Sequence, residues 1–367
     1  MDIFITGATG FVGHHLTRHF LSQGHTVTAV GRSPSHPCEG EDGFRYVVAD
    51  TTQAGSWQED VQPCRAVINL AGATIFRRWT AKAKQTIRDS RIRTTCHLVQ
   101  ALPDHQDTFL FSASGAGYYG SCGDQALDET APPGDDFLAR LSMDWEKEAL
   151  QAEMRGARVA VGRFGVILHP SGGALTKMLP AFRMGVGGPM GNGRQWFPWI
   201  HLDDVIAAID YLVSQPESKG IFNFCAPETV TNREFARRLG HRLQRPSFFP
   251  APAPFMRLLL GEVSTVLLGS QRILPQRLLT SGFPFSYPTL DAALDAIRIQ
   301  RLRPQELLAD VSVSGWEGVQ RAFELGRGAF FLTGHLGSWE VAALVTGLKL
   351  DSGLAVVNRP LDNPLLE

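Results

Sequence analysis

Residues 6–13 read TGATGFVG, and their glycine spacing suits the handling of a bound nucleotide better than any other stretch of the 367-residue chain. A short apolar run (Ile3, Phe4, Ile5) precedes the octet, and Val12, Leu16, Phe20 and Leu21 follow at helical spacing up to Gly24. Strand, glycine turn and helix in that order make a dinucleotide site. Gly7 permits the tight turn, Gly10 lets the backbone approach a pyrophosphate, and Gly13 lets the helix lie against the strand. Backbone N–H groups at the helix start, with the helix dipole behind them, face the negative charge. The expected cradle is Thr6, Gly7, Thr9, Gly10, Phe11, Val12 and Gly13. The spacing is G-x-x-G-x-x-G, one residue longer than the common G-x-G-x-x-G, and a tight loop without a ligand is the plainer alternative.

Further chemistry sits at the ends of the strands that follow. Residues 26–30 form a second expected strand ending in Gly31, Arg32 and Ser33. An acidic residue there would bond the ribose hydroxyls and select NAD. An arginine matches a 2′-phosphate and favours NADP, with NAD possible; a solvated arginine after a strand is the other reading. Residues 46–49 run to Asp50, placed to meet the adenine amino group, and residues 66–70 run into Leu70, Ala71 and Gly72. Small residues there let a cofactor lie close to the backbone. Residues 109–111 lead into SASGAGYYG, which offers the hydroxyl of Ser114 and the phenols of Tyr118 and Tyr119. A turn or capping hydroxyl and aromatic packing over the cofactor are the alternatives. Residues 191–205, GNGRQWFPWIHLDDV, put Arg194, Trp196, Trp199 and His201 on an expected substrate-facing surface. Aromatic and amide groups suit a sugar-like or planar ligand, and packing explains the tryptophans equally well.

Strands alternating with helical patterns give the elements that position these groups: an α/β, Rossmann-type doubly wound parallel sheet. Residues 1–165 read as the NAD(P)-binding domain, and residues 166–297 as a smaller substrate-side lobe whose chain can return to the sheet. Residues 171–173 and 185–193 are glycine-rich and read as a wall or lid, and residues 246–254 as a proline-rich connector. Hydrophobic residues make up 44% and charged residues 19%, as in ordinary globular proteins. Thirty-five basic against 36 acidic residues leave no net field for nucleic acid or anionic membrane. The expected partner is a small molecule, and no oligomeric state follows. Five scattered cysteines without C-x-x-C suit a reduced, cytoplasmic protein with neither disulfides nor a metal site. No apolar run reaches the roughly 18 residues of a membrane span.

The octet, the NLAG strand end, SRIRTT (90–95), the GYYG turn, DFLARLSMDWE (136–146), GNGRQWFPWIHLDDV and GFPFSYPTLDAAL together resemble the extended short-chain dehydrogenase/reductase superfamily. The likeness is to its epimerase-like subgroup with a C-terminal domain of unknown function, over residues 1–297. The resemblance implies an NADP-type cofactor, a late-strand turn carrying Arg163, and hydride transfer on a small carbonyl or sugar-type substrate. It also implies a serine, matched by Ser114, and a tyrosine with a lysine four residues later. That dyad is missing: Leu138 and Ser142 stand about where it belongs. Tyr118 or Tyr119 could supply the phenol, with His201 or an Asp as partner; alternatively the chain binds NADP without turnover. Residues 326–340 (GRGAFFLTGHLGSWE) and 358–364 resemble the lipid A and lysophospholipid acyltransferases, in which the pair matched by His335 and Glu340 acts as base and orienting carboxylate. This segment, 298–367, covers only part of that family and reads as a truncated fragment, so acyl transfer is a minor expectation.

Overall fold

Alternation of apolar side chains on both faces builds the centre of the molecule. The computed structural model describes residues 1–103 and 108–299. Seven parallel strands form the main sheet: β1 (Asp2–Thr6), β2 (Thr26–Gly31), β3 (Phe44–Val48), β4 (Ala66–Asn69), β5 (Phe109–Gly115), β6 (Arg158–Phe164) and β7 (Gly220–Phe224). Their order is β7-β6-β5-β4-β1-β2-β3. Ile3 and Ile5 of β1 face one apolar cluster with Phe111 and Phe224, while Phe4 between them faces the other with Val67, Leu110 and Trp57. A sheet buried on both faces needs helices on both, as in doubly wound proteins. Helix α1 (Phe11–Ser22) lies on the first side, and α2 (Ala81–Ala101) and α3 (Phe137–Leu150) on the second.

The strand order reverses between β1 and β4, which opens a crevice at their C-terminal ends. Register then aligns the polar groups near that edge. Thr6 pairs with Asn69, Asn69 with Ser112, Ser114 with Arg163, and Arg163 with Asn223. Strand β5 extends through Ser114 and Gly115, beyond the apolar run 109–111, because β6 pairs with it to Gly115 while Asn69 and Glu146 bond the Ser112 and Ser114 hydroxyls.

The chain leaves the sheet after β6 and returns with β7 after 55 intervening residues. Between them lie α4 (Gly173–Arg183) and α5 (Leu202–Ser214), and after them α6 (Asn232–Arg242) and α7 (Ala253–Leu260). Residues 1–294 form one compact unit. The proline-rich stretch 246–254 is tied down rather than a spacer: Ala251 exchanges backbone hydrogen bonds with Pro189 and Gly191 at 2.9 and 2.8 Å. Among the described residues no helix is long and apolar enough to cross a membrane. The expected acyltransferase-like segment, with His335 and Glu340, lies outside the described residues.

Candidate functional site

The cradle is set by two glycines that packing requires and one that it leaves open. Gly7 adopts φ +71°, and a Cβ there would stand 2.8 Å from the Leu70 carbonyl group. A Cβ on Gly13 would stand 2.3 Å from the Gly7 oxygen. These two let the start of α1 sit against the ends of β1 and β4. Gly10 is the N-cap of α1 and offers no side chain to the first-turn N–H groups. A Cβ on it would meet only the Gly7 oxygen, at 3.0 Å, so the outer side is free for a phosphate. The Thr6 hydroxyl donates to Asn69 Oδ1 at 2.7 Å and accepts from the Ala71 N–H at 3.3 Å, stitching the two strand ends together. The Phe11 ring turns away from the cradle and packs beneath Gly172 and Gly173.

At the end of β2, Thr9 lies beside Gly31. The Tyr46 hydroxyl donates to the Ser33 carbonyl at 2.9 Å and fixes the loop. Arg32 is exposed and in no ion pair among the described residues, free to meet a phosphate. Asp50 accepts from the Thr52 N–H and hydroxyl at 3.0 and 2.8 Å. Burial pushes its carboxyl up, but these bonds and the charges of Arg32 and Arg93 outweigh it and hold the group below the usual carboxylate range.

The crevice also holds a cation that the sequence reading passed over. Arg91, in the SRIRTT segment of α2, presents its guanidinium to Gly72, where a Cβ would sit 3.0 Å from it. It donates to the Ala73 and Ile87 carbonyls at 3.0 and 3.1 Å and stacks over Trp145 at 5.1 Å. With no carboxylate beside it among the described residues, burial pulls its pKa down to about 10. A guanidinium so placed at the reversal of strand order is a ready partner for a ligand anion. The signal was present in the sequence only as one of three arginines on a helix.

One row of side chains crosses the ends of β5, β6 and β7. Ser114 donates to Glu146 Oε1 at 2.7 Å. Arg163 bonds the same carboxylate through Nε at 2.9 Å and Nη2 at 2.8 Å, with Arg163 3% and Glu146 6% exposed. The bidentate geometry is what makes a buried pair tenable. Arg163 Nη1 donates to the Tyr119 hydroxyl at 2.9 Å, and that hydroxyl donates onward to Asn223 Oδ1 at 2.7 Å. Burial, only partly offset by Arg163, pushes the Tyr119 phenol up to about 12. Tyr119 is therefore a strut of the row. Tyr118 is half-buried, with the Arg163 guanidinium 3.3 Å from its ring centre. Its hydroxyl has no partner among the described residues. Leu138 packs on Gly117 at the position expected of the catalytic tyrosine, and Ser142, one turn on, is buried. The next turn of the same face brings Glu146.

The family described as NAD dependent epimerase/dehydratase matches residues 3–225, and a domain of unknown function, DUF1731, matches residues 251–297. The chain belongs to the NAD dependent epimerase/dehydratase family. It is 40% identical over 304 residues to the epimerase family protein SDR39U1 homolog, chloroplastic, of Arabidopsis thaliana, covering 81% of this chain and 86% of the relative. Against the epimerase family protein SDR39U1 of Mus musculus the identity is 36% over 301 residues, 80% of this chain and 98% of the relative. The crystal structure of human epimerase family protein SDR39U1 (isoform2) with NADPH superposes with a TM-score of 0.72 at 33% identity, over 82% of this chain and all of the other. The matched families end at residue 297.

For this epimerase/dehydratase-family chain, the substrate side corrects two expectations. Trp199 is buried and donates from Nε1 to the Glu228 carbonyl at 3.0 Å. His201 is 0% exposed; its Nδ1 accepts from the Asp203 N–H at 3.2 Å and caps α5. Both face inward because the strand that carries them pairs with residues 166–168 beneath the surface. Trp196 is half-buried, with Nε1 bonded to Asp124 Oδ1 at 2.8 Å and Arg272 over its ring. Arg194 is exposed, its backbone N–H bonded to Asn192 Oδ1 at 2.9 Å. Among the described residues no cluster of side chains is arranged to hold a metal.

Proposed function

We propose that this chain binds NADP(H) along the ends of β1, β2 and β4 and moves hydride to or from a small hydroxyl-, carbonyl- or sugar-type substrate. The observation that carries the reading is Tyr118: a half-exposed phenol with an uncommitted hydroxyl, stacked on the locked guanidinium of Arg163 and four residues after Ser114. The glycine turn and Arg91 would hold the pyrophosphate, and Arg32 with Ser33 the 2′-phosphate. Leu70, Ala71 and Gly72 would floor the crevice. The NADPH bound by the human relative supports this choice. The nicotinamide supplies or accepts the hydride when bound.

The chain's own residues do the rest. Ser114 gives its only proton to Glu146, so its oxygen accepts and would orient a substrate hydroxyl. Tyr118 would take or give the proton of the reacting oxygen, replacing the absent dyad. Five unpaired cysteines suit a reducing, cytoplasmic setting. A second reading, an NADP-binding module without turnover, is favoured by Leu138 and Ser142 at the dyad positions and by Ser114's committed proton.

A titration with NADPH and with NADH, followed by nicotinamide fluorescence, tests the cofactor. A panel of alcohols, ketones and nucleotide sugars, followed by nicotinamide absorbance, then tests turnover. Saturation with NADPH preferred and turnover abolished by Tyr118→Phe supports the enzyme. Tight binding with no turnover across the panel supports the module, and no binding of either nucleotide removes both.

A further inference from the structure

The near-zero net charge of the chain conceals a local excess. Residues 171–197 contain three Lys and Arg and no acid, and residues 229–261 contain six and only Glu234, which is taken up by Arg238. Contacts join the two stretches into one surface. Arg245 Nε donates to the Arg183 carbonyl at 3.1 Å, Arg233 Nη2 donates to the Asn192 carbonyl at 2.8 Å, and residues 189–191 are bonded to Ala251.

The same surface holds eight of the 13 exposed large apolar side chains among the described residues, with Met184 71%, Phe248 69% and Leu258 82% exposed. Phe248 and Phe249 lie ring to ring at 4.6 Å. On α7, Phe255, Leu258 and Leu259 are exposed at i, i+3 and i+4, while Met256 is the buried side chain. An outward apolar stripe on a helix is a cost in water unless something covers it. Arg183, Arg245 and Arg257 are exposed around it and in no ion pair among the described residues.

Apolar groups that can enter an acyl boundary, ringed by cations while the neighbouring acids Glu234 and Glu262 are paired with Arg238 and Lys84, are complementary to one occupant: the surface of an anionic bilayer. We propose that the face formed by α7, Phe248–Phe249 and the Met184 turn docks on anionic lipid. The protein lies on the membrane and does not span it. None of the residues assigned to the dinucleotide cradle belongs to this face, so the inference is independent of the proposed function.

The test is sedimentation of the full chain with vesicles of phosphatidylcholine alone or with a third phosphatidylglycerol, at low and high salt. Binding to the anionic vesicles, lost with salt and absent with phosphatidylcholine, is the expected result. Leu258→Glu/Leu259→Glu and Arg183→Glu/Arg245→Glu should each weaken it by about tenfold or more. Both pairs are exposed, and NADPH binding or the melting temperature checks that the fold is unchanged. No binding to anionic vesicles at low salt overturns the proposal, as does equal binding by the variants. So does a dimer in light scattering that Leu258→Glu/Leu259→Glu converts to monomer, which would make the face a contact between copies. Salt-sensitive binding of a single-stranded oligonucleotide in place of vesicles overturns it equally.

Discussion

Replacing His201 by Asn should change how stability responds to acid. The ring is 0% exposed, lies 4.1 Å from the Tyr287 ring, and has no partner for Nε2 among the described residues. Burial pushes its pKa down to about 4. An imidazole that protonates more easily unfolded than folded contributes stability above pH 6.5, and that stability drains away as pH falls towards 4. At 1.36 kcal/mol for each tenfold, the loss is about 3 kcal/mol. Three residues on, Asp204 is also 0% exposed and accepts from the Ser286 and Tyr287 N–H groups at 2.8 and 3.0 Å. Burial outweighs those bonds and pushes it up to about 6. Its sign is opposite, since the folded state takes the proton first. Stability is fully present below the unfolded value near 3.8 and is lost as pH rises through 6, again by about 3 kcal/mol. The two nearly cancel in the wild type between pH 7 and 4. In His201→Asn the side-chain oxygen still caps α5, but the imidazole term is gone. At pH 7 the smaller side chain costs about 1–2 kcal/mol. Towards pH 4 the variant gains about 3 kcal/mol on the wild type. Urea unfolding at pH 7, 5.5 and 4.5 measures this. A difference between the two proteins that does not vary with pH would refute the reasoning.

Arg32→Ala should weaken NADPH at least about tenfold and leave NADH nearly unchanged, because only NADPH carries the 2′-phosphate that Arg32 is proposed to meet; equal losses in fluorescence titration would count against the assignment. Gly13→Ala should destabilise the fold by about 3 kcal/mol or more through its backbone clash, whereas Gly10→Ala should keep the melting temperature within a few degrees and weaken both nucleotides. Glu146→Ala strands Arg163 and should cost about 3–5 kcal/mol in urea unfolding. Tyr118→Phe should abolish turnover with NADPH affinity unchanged, and a Tyr119→Phe that kept the melting temperature would contradict its place as a strut.

What the sequence made readable follows from what is local. The octet, the order of strands and helices, and Arg32 at the end of β2 depend on neighbours within a few residues, so pattern and turn chemistry were enough. The row Ser114, Glu146, Arg163, Tyr119 and Asn223 spans more than a hundred residues and exists only through strand register and the phase of α3. Spacing alone could not tell Tyr118, left uncommitted, from Tyr119, locked beside it. Arg91 looked like an ordinary helix-surface arginine until Gly72 was brought against it. The inward turn of Trp199 and His201 was equally hidden, since an aromatic-rich segment reads the same whether it lines a cleft or a core.

The return of β7 to the sheet has a mechanical consequence. The lobe between residues 165 and 219 is anchored at two adjacent strands, Phe164 and Gly220 being its two roots. A lobe hung on a single linker could swing freely. This one is held at opposite edges of the sheet, since Phe164 pairs with Phe224 and Gly220 with Ala160, and α5 within it is packed into the same core as Phe111 and Phe224. A graft of this lobe onto a relative needs two cuts, and its length must preserve the pairing of Gly220 with Ala160.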